Sequence, residues 1–113
     1  MTDFVVERWD LDPYPGDQAP PHIHHQSDEA FGVVSGRIEV LIGDERRELS
    51  AGDLVVVPAG TVHTFATVGD EPVRMYCVMT PQVDALIRAL HTAVTDEQRA
   101  AAWAEHASEM ASP

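Results

Sequence analysis

The chain has no lysine and one cysteine, Cys77. Without lysine there is no side-chain amine to form a Schiff base. A lone cysteine cannot close an intramolecular disulfide. No stretch approaches the roughly 20 apolar residues that a membrane span needs. The opening Met-Thr-Asp-Phe-Val-Val-Glu-Arg is too acidic and too short of apolar residues for a secretory leader, so a cytoplasmic location is expected. Positive charge is also scarce: 7 arginines face 19 acidic residues, a formal net charge of −12. Nucleic acid and anionic membranes would repel such a surface, and neither is expected as a partner. Core-forming residues are not scarce. The apolar fraction of 44% is ordinary, and 113 residues suffice for one domain with one core.

Short apolar segments recur about every ten residues, separated by Gly and Pro. Phe4 to Trp9 reads as a first strand, and the Pro-rich stretch from Asp12 to Pro21 as a loop. From Glu29 the pattern is β: Phe31, Val33 and Val34, then Ile38, Val40 and Ile42 alternating with Arg37, Glu39 and Leu41. Gly43-Asp44 predicts a hairpin turn. Further strands are expected over Arg46–Leu49, Leu54–Val57, Val62–Val68 and Val73–Met79. This spacing points to an all-β sandwich or closed barrel rather than βαβ units. After Pro81 the period becomes helical, with Val83, Leu86, Ile87, Leu90 and Val94 on one stripe. Thr95-Asp-Glu-Gln98 has the form of a capping box opening a second helix, whose apolar face would be Ala100, Trp103, Ala104 and Ala107. The closing Ala-Ser-Pro reads as a frayed end. The division expected is a β domain over residues 1–81 with a helical extension of the same domain over 82–113.

Histidine carries the chemistry. His22 and His24 are two apart, and on an extended chain such residues share a side, so both imidazoles can reach one ion. Glu29 opens the following strand and offers a hard oxygen. His63, far along the chain, can be returned by a partner strand. Three imidazoles and one carboxylate suit a divalent transition metal: Mn, Fe, Co, Ni, Cu or Zn. On a six-coordinate ion this set leaves two neighbouring positions open, as a catalytic site requires and a closed structural site does not. His25 points away from His24, and His91 and His106 fall on predicted helix surfaces.

Two spaced motifs resemble the cupin superfamily. The first is Gly16, His22-Ile23-His24, Glu29 and Gly36; the second is Gly52, Pro58-Ala59-Gly60 and His63, with Thr67 where the family has Asn. The resemblance spans roughly residues 14 to 81. It implies a jelly-roll barrel, a double-stranded β-helix, with a metal held inside one end by His22, His24, Glu29 and His63. It implies a mostly apolar pocket for a small organic ligand, lined by Phe31 and Val33, which share parity with Glu29, by Phe65, which shares parity with His63, and by Tyr76 or Cys77. Glu29 is also the candidate proton acceptor. The chemistry implied is of dioxygenase, isomerase or cyclase type; the competing reading is a non-catalytic ligand-binding or sensor module. Pairing into a homodimer is implied as well. Cys77, Trp9 and Trp103 are otherwise read as packing residues, and Arg8 as a surface group.

Overall fold

Alternation decides which side chains enter the core. In the computed structural model, which describes residues 3–111, Val73, Met75, Cys77 and Met79 of one strand are buried while Arg74 and Tyr76 are exposed. The strands are β1 (Val5–Leu11), β2 (His22–His24), β3 (Glu29–Ser35), β4 (Arg37–Ile42), β5 (Glu45–Ser50), β6 (Leu54–Val57), β7 (His63–Thr67) and β8 (Val73–Met79). Helices α1 (Pro81–Thr92) and α2 (Asp96–Glu105) follow, then β9 (Ser108–Met110). Every paired strand is antiparallel, in two sheets ordered β1-β8-β3-β6 and β5-β4-β7-β2-β9. The sheets face each other over a core that includes Phe31, Ile38, Val40, Val57, Met75 and Met79. This is the jelly-roll expected, with helices at its C-terminal end.

The turn chemistry follows the sequence closely. Ile42 pairs with Glu45 across the two-residue Gly43-Asp44 connection, and Gly43 takes the positive φ, +66°, that tight hairpins require. Helix α1 starts where Thr80 caps it, its side chain accepting from the Val83 amide, with Pro81 in the first turn. The capping box of α2 is complete: the Gln98 amide donates to Thr95 Oγ1 at 3.0 Å, and the Thr95 amide donates to Gln98 Oε1 at 3.1 Å.

Three expectations are corrected. Strand β1 begins one residue later than Phe4 and runs two beyond Trp9, to Leu11, because all seven residues pair in register with β8. Helix α1 ends at Thr92, which leaves Val94 exposed rather than on the apolar stripe. The C-terminal region is not helical to its end: Ala107 turns the chain at φ +51°, and β9 then pairs with β2. The Ala111 amide continues this by donating to the Pro21 carbonyl at 2.8 Å, so Ala111 is not frayed; Ser112 and Pro113 lie outside the described residues. A three-residue strand, Ser-Glu-Met, carries no alternation long enough to read, and a left-handed alanine has no sequence signature.

Candidate metal centre

Strand β2 is short, but its pairing sets the geometry. His22 and His24 point to one side of it, and His22 sits directly opposite His63 of β7. The three imidazoles cluster, with ring centroids 4.3 Å apart for His22 and His63, 4.9 Å for His22 and His24, and 5.0 Å for His24 and His63. One ring nitrogen of each lies within 4.8 Å of the others. Glu29 reaches in from the opposite sheet. Its Oε1 is 3.1 Å from His63 Nε2 and 3.3 Å from His24 Nε2. His24, Glu29 and His63 are 4%, 5% and 1% exposed.

Every outer ring nitrogen has a partner. His22 Nδ1 donates to the Pro20 carbonyl at 2.8 Å, and His63 Nδ1 donates to the Thr61 carbonyl at 2.9 Å. His24 Nδ1 lies 2.7 Å from Ser108 Oγ. That hydroxyl spends its own proton on the His106 carbonyl at 3.1 Å, so it must accept from His24. All three Nε2 atoms are thereby turned inward, and in neutral rings they are bare lone pairs. Two such lone pairs cannot sit beside a carboxylate oxygen at these distances without a cation between them. In the metal-free protein, ring N–H groups of His24 and His63 hydrogen-bond the Glu29 carboxylate there. A divalent ion is the natural replacement: ligand atoms about 2.1 Å from one ion, at roughly right angles, lie about 3 Å apart. The donor set fits a transition metal.

The electrostatics agree. Burial, then the charge of His63, push His22 down to about 4, so its ring is neutral and free to ligate near neutrality. Burial alone would raise the Glu29 carboxyl, but hydrogen bonds from His24 and His63 outweigh it and hold it down at about 2. Cys77 faces the same carboxylate from β8, its Sγ donating to Glu29 Oε2 at 3.2 Å. Burial first, and then the Glu29 charge, push that thiol far above its ordinary range, so it stays a donor and orients Glu29.

Acid should therefore weaken the metal-free protein. Both folded-state values lie below the ordinary ones, so the unfolded chain takes up protons first. The stability owed to His22 is complete above about 6.5 and falls as the pH drops towards 4; that owed to Glu29 falls between about 4.5 and 2. Thermal unfolding in chelator should give a lower Tm at pH 5 than at pH 7; an unchanged Tm would contradict this arrangement.

A cavity of about 420 Å³ opens onto the cluster, walled by Phe31, Phe65, Trp9 and Leu11 and, from α1, by Ile87 and Leu90. Trp9 stacks on Phe65 at 6.0 Å between centroids and 9° between planes. Among the expected lining residues, Phe31 and Phe65 are there. Val33 is a correction: it is buried in the core and is not among the residues that line the cavity. Tyr76 is a correction: it is 44% exposed on the outer face of the sheet, because Cys77 takes the inward parity of β8. His25 turns outward to Glu109, 3.0 Å away. His91, read as a helix-surface residue, is exposed yet lines the cavity mouth. His106 is half-buried at the end of α2, with Nδ1 donating to the Ala102 carbonyl at 2.7 Å. Trp103 lies against His22, 5.5 Å between ring centroids.

Sequence reasoning missed Trp9, Leu11, Ser108 and the contribution of α1. The alternation of β1 carried the signal for the first two, since its odd-numbered residues turn inward. Nothing in the sequence marked Ser108.

Residues 11–79, more than half of the chain, match the family described as Cupin domain. The chain belongs to the cupin family. It is 37% identical over 67 residues to the polyketide synthase CurC of Streptomyces cyaneus, which covers 59% of this chain and 44% of that protein. It is 38% identical over 50 residues to quercetin 2,3-dioxygenase of Bacillus subtilis (strain 168), covering 44% of this chain and 15% of that one. Among solved structures it resembles a sugar phosphate isomerase of the cupin superfamily from Silicibacter pomeroyi, with a TM-score of 0.62 and 26% identity over 71% of this chain and 52% of the other. The chain spans less than two thirds of each of these proteins. In this cupin the last strand β9, which lies outside the matched residues, supplies the hydroxyl that fixes His24. Ser108→Ala should lower metal affinity by about 10–100-fold with little change in fold, measured by competition against a chelator. An unchanged affinity would remove Ser108 from the centre.

Proposed function

We propose that this cupin acts on a small organic molecule at a divalent metal held by His22, His24, Glu29 and His63, with dioxygenase, isomerase or cyclase chemistry. The observation that carries the reading is the apolar cavity opening directly onto inward-turned ring nitrogens. A structural metal site is closed by its ligands, whereas this one faces space of ligand size. A metal bound there would act as Lewis acid or redox centre. The chain's own residues do the rest. The carbonyls of Pro20 and Thr61 and the hydroxyl of Ser108 hold the rings in place. The apolar wall excludes water, and Glu29, the one carboxylate among the cavity-lining residues, is the candidate to accept a substrate proton.

Pairing into a homodimer fits the outer face of the four-stranded sheet. Val6, Val34, Leu54, Val56 and Tyr76 are all exposed there, an apolar surface that a second copy would cover. No helix among the described residues is long and apolar enough to cross a membrane, and the one cysteine is a buried free thiol. The free thiol supports the cytoplasmic reading, and the pairing of β9 with β2, with Val83 in the barrel core, supports a single domain in which the segment after Pro81 is an extension.

The test is metal content by mass spectrometry on untagged protein, beside a His22→Ala/His63→Ala control. Near-stoichiometric metal that is absent from the control is expected, followed by turnover or dioxygen uptake in a substrate screen. No metal after reconstitution would sink the proposal. Metal with saturable ligand binding and no product would make the protein a binding module instead.

A further inference from the structure

The cavity wall discriminates among ligands. Its polar groups outside the metal cluster are few: Gln18, Thr64 and His91. Thr64 is occupied, its hydroxyl donating to the Ala19 carbonyl at 2.6 Å. None of the seven arginines lines the cavity, and there is no lysine in a chain of net charge −12. A phosphate group entering here would lose its water and find no cationic side chain, which is costly in an apolar enclosure. The wall instead offers aromatic rings. Trp9 and Phe65 are nearly parallel, and Phe31 leans on Phe65 at 5.3 Å between centroids.

We propose that this cavity takes a flat, unsaturated ring compound bearing two adjacent oxygen donors and no phosphate. The two oxygens rest on the metal-centre reading above, since three imidazoles and a carboxylate leave two neighbouring positions on a six-coordinate ion. The ring does not depend on that reading. It is held by the aromatic wall, through area removed from water and through offset stacking. Ile87 and Leu90 of α1 close over it, and Gln18 and His91 are placed to meet a polar substituent at the mouth.

The full chain is loaded with cobalt(II), whose visible band reports its ligands, and titrated calorimetrically with 2,3-dihydroxynaphthalene and with glucose 6-phosphate. The diol should change the cobalt band and bind at least about ten-fold more tightly than the sugar phosphate. Equal or tighter binding of glucose 6-phosphate overturns the proposal. Trp9→Ala should weaken the diol about ten-fold with cobalt content unchanged. Because Trp9 packs against the core, Leu90→Arg on the half-exposed helix provides a second variant, expected to shift preference towards the sugar phosphate. A folded variant of either kind that leaves the preference unmoved counts against the aromatic wall. If no cobalt band forms at all, the metal reading fails and the paired oxygens with it. Binding of the diol to metal-free protein, followed by tryptophan fluorescence, then decides the ring alone: quenching keeps it, and no quenching overturns it.

Discussion

His63→Ala should strip the protein of its metal, lowering affinity at least about 100-fold, while His25→Ala leaves it unchanged. Changes one shell further out typically cost 10–100-fold, and a direct ligand should cost no less. His63 is the best-fixed of the three imidazoles. It is 1% exposed, its Nδ1 is tied to the Thr61 carbonyl, and its Nε2 is 3.1 Å from Glu29. Its loss also leaves a buried carboxylate with one partner fewer, so the variant should be less stable as well. His25 is one residue from a ligand and chemically identical, but it is exposed and turned to Glu109 on the far side of the strand. The pair separates geometry from mere histidine content. Metal analysis and chelator competition on both variants check it, and equal losses would dissolve the ligand assignment.

How much of this was legible in the sequence depends on the length of the signal. Strands of six or seven residues with clean alternation, such as β4 and β8, were readable because three or more inward positions agree. The His-x-His pair was readable because period-two geometry is local. Tyr76 was misplaced because parity propagates only along one strand, and β8 had no chemically marked residue to anchor it. Cys77 was the anchor in fact, through its hydrogen bond to Glu29, but a lone cysteine among Val and Met looks like packing.

Part of what was missed came from the segments after Pro81. Helix α1 was recognisable from its stripe, yet a stripe does not say which end of a barrel it covers. Here Ile87 and Leu90 reach the cavity mouth while Val83 and Leu86 are fully buried, so one apolar face both packs and lines. Strand β9 exists because β2 leaves an edge unpaired, and three backbone pairs answer that need whatever their side chains. Ser108 is therefore placed at the metal centre by backbone pairing, which sequence patterns do not record.

Gly36→Ala is expected to unfold more readily than any single glycine replacement elsewhere in the two motifs. Gly36 joins β3 of one sheet to β4 of the other, at φ +78°. An L-residue there costs about 1–2 kcal/mol for the left-handed backbone alone. The added Cβ would also stand 2.5 Å from the Pro72 carbonyl oxygen, at the end of the connection between β7 and β8, and 3.0 Å from the Cα of Val73, which opens β8. Forcing such an overlap typically adds about 1–3 kcal/mol. A total of about 3 kcal/mol is a large part of the roughly 5–15 kcal/mol that holds a domain together, and for this length it should lower Tm by about 10 °C or more. Gly52→Ala is the control: its φ of +91° is equally left-handed, but nothing lies within 4 Å of the new Cβ. It should lose only the backbone part. No ligand residue is among the nearest neighbours of either new Cβ, so the folded fraction of each variant should still bind metal stoichiometrically. Thermal unfolding of the pair measures the difference, and equal losses would mean that the connection between β7 and β8 yields to Gly36 without cost.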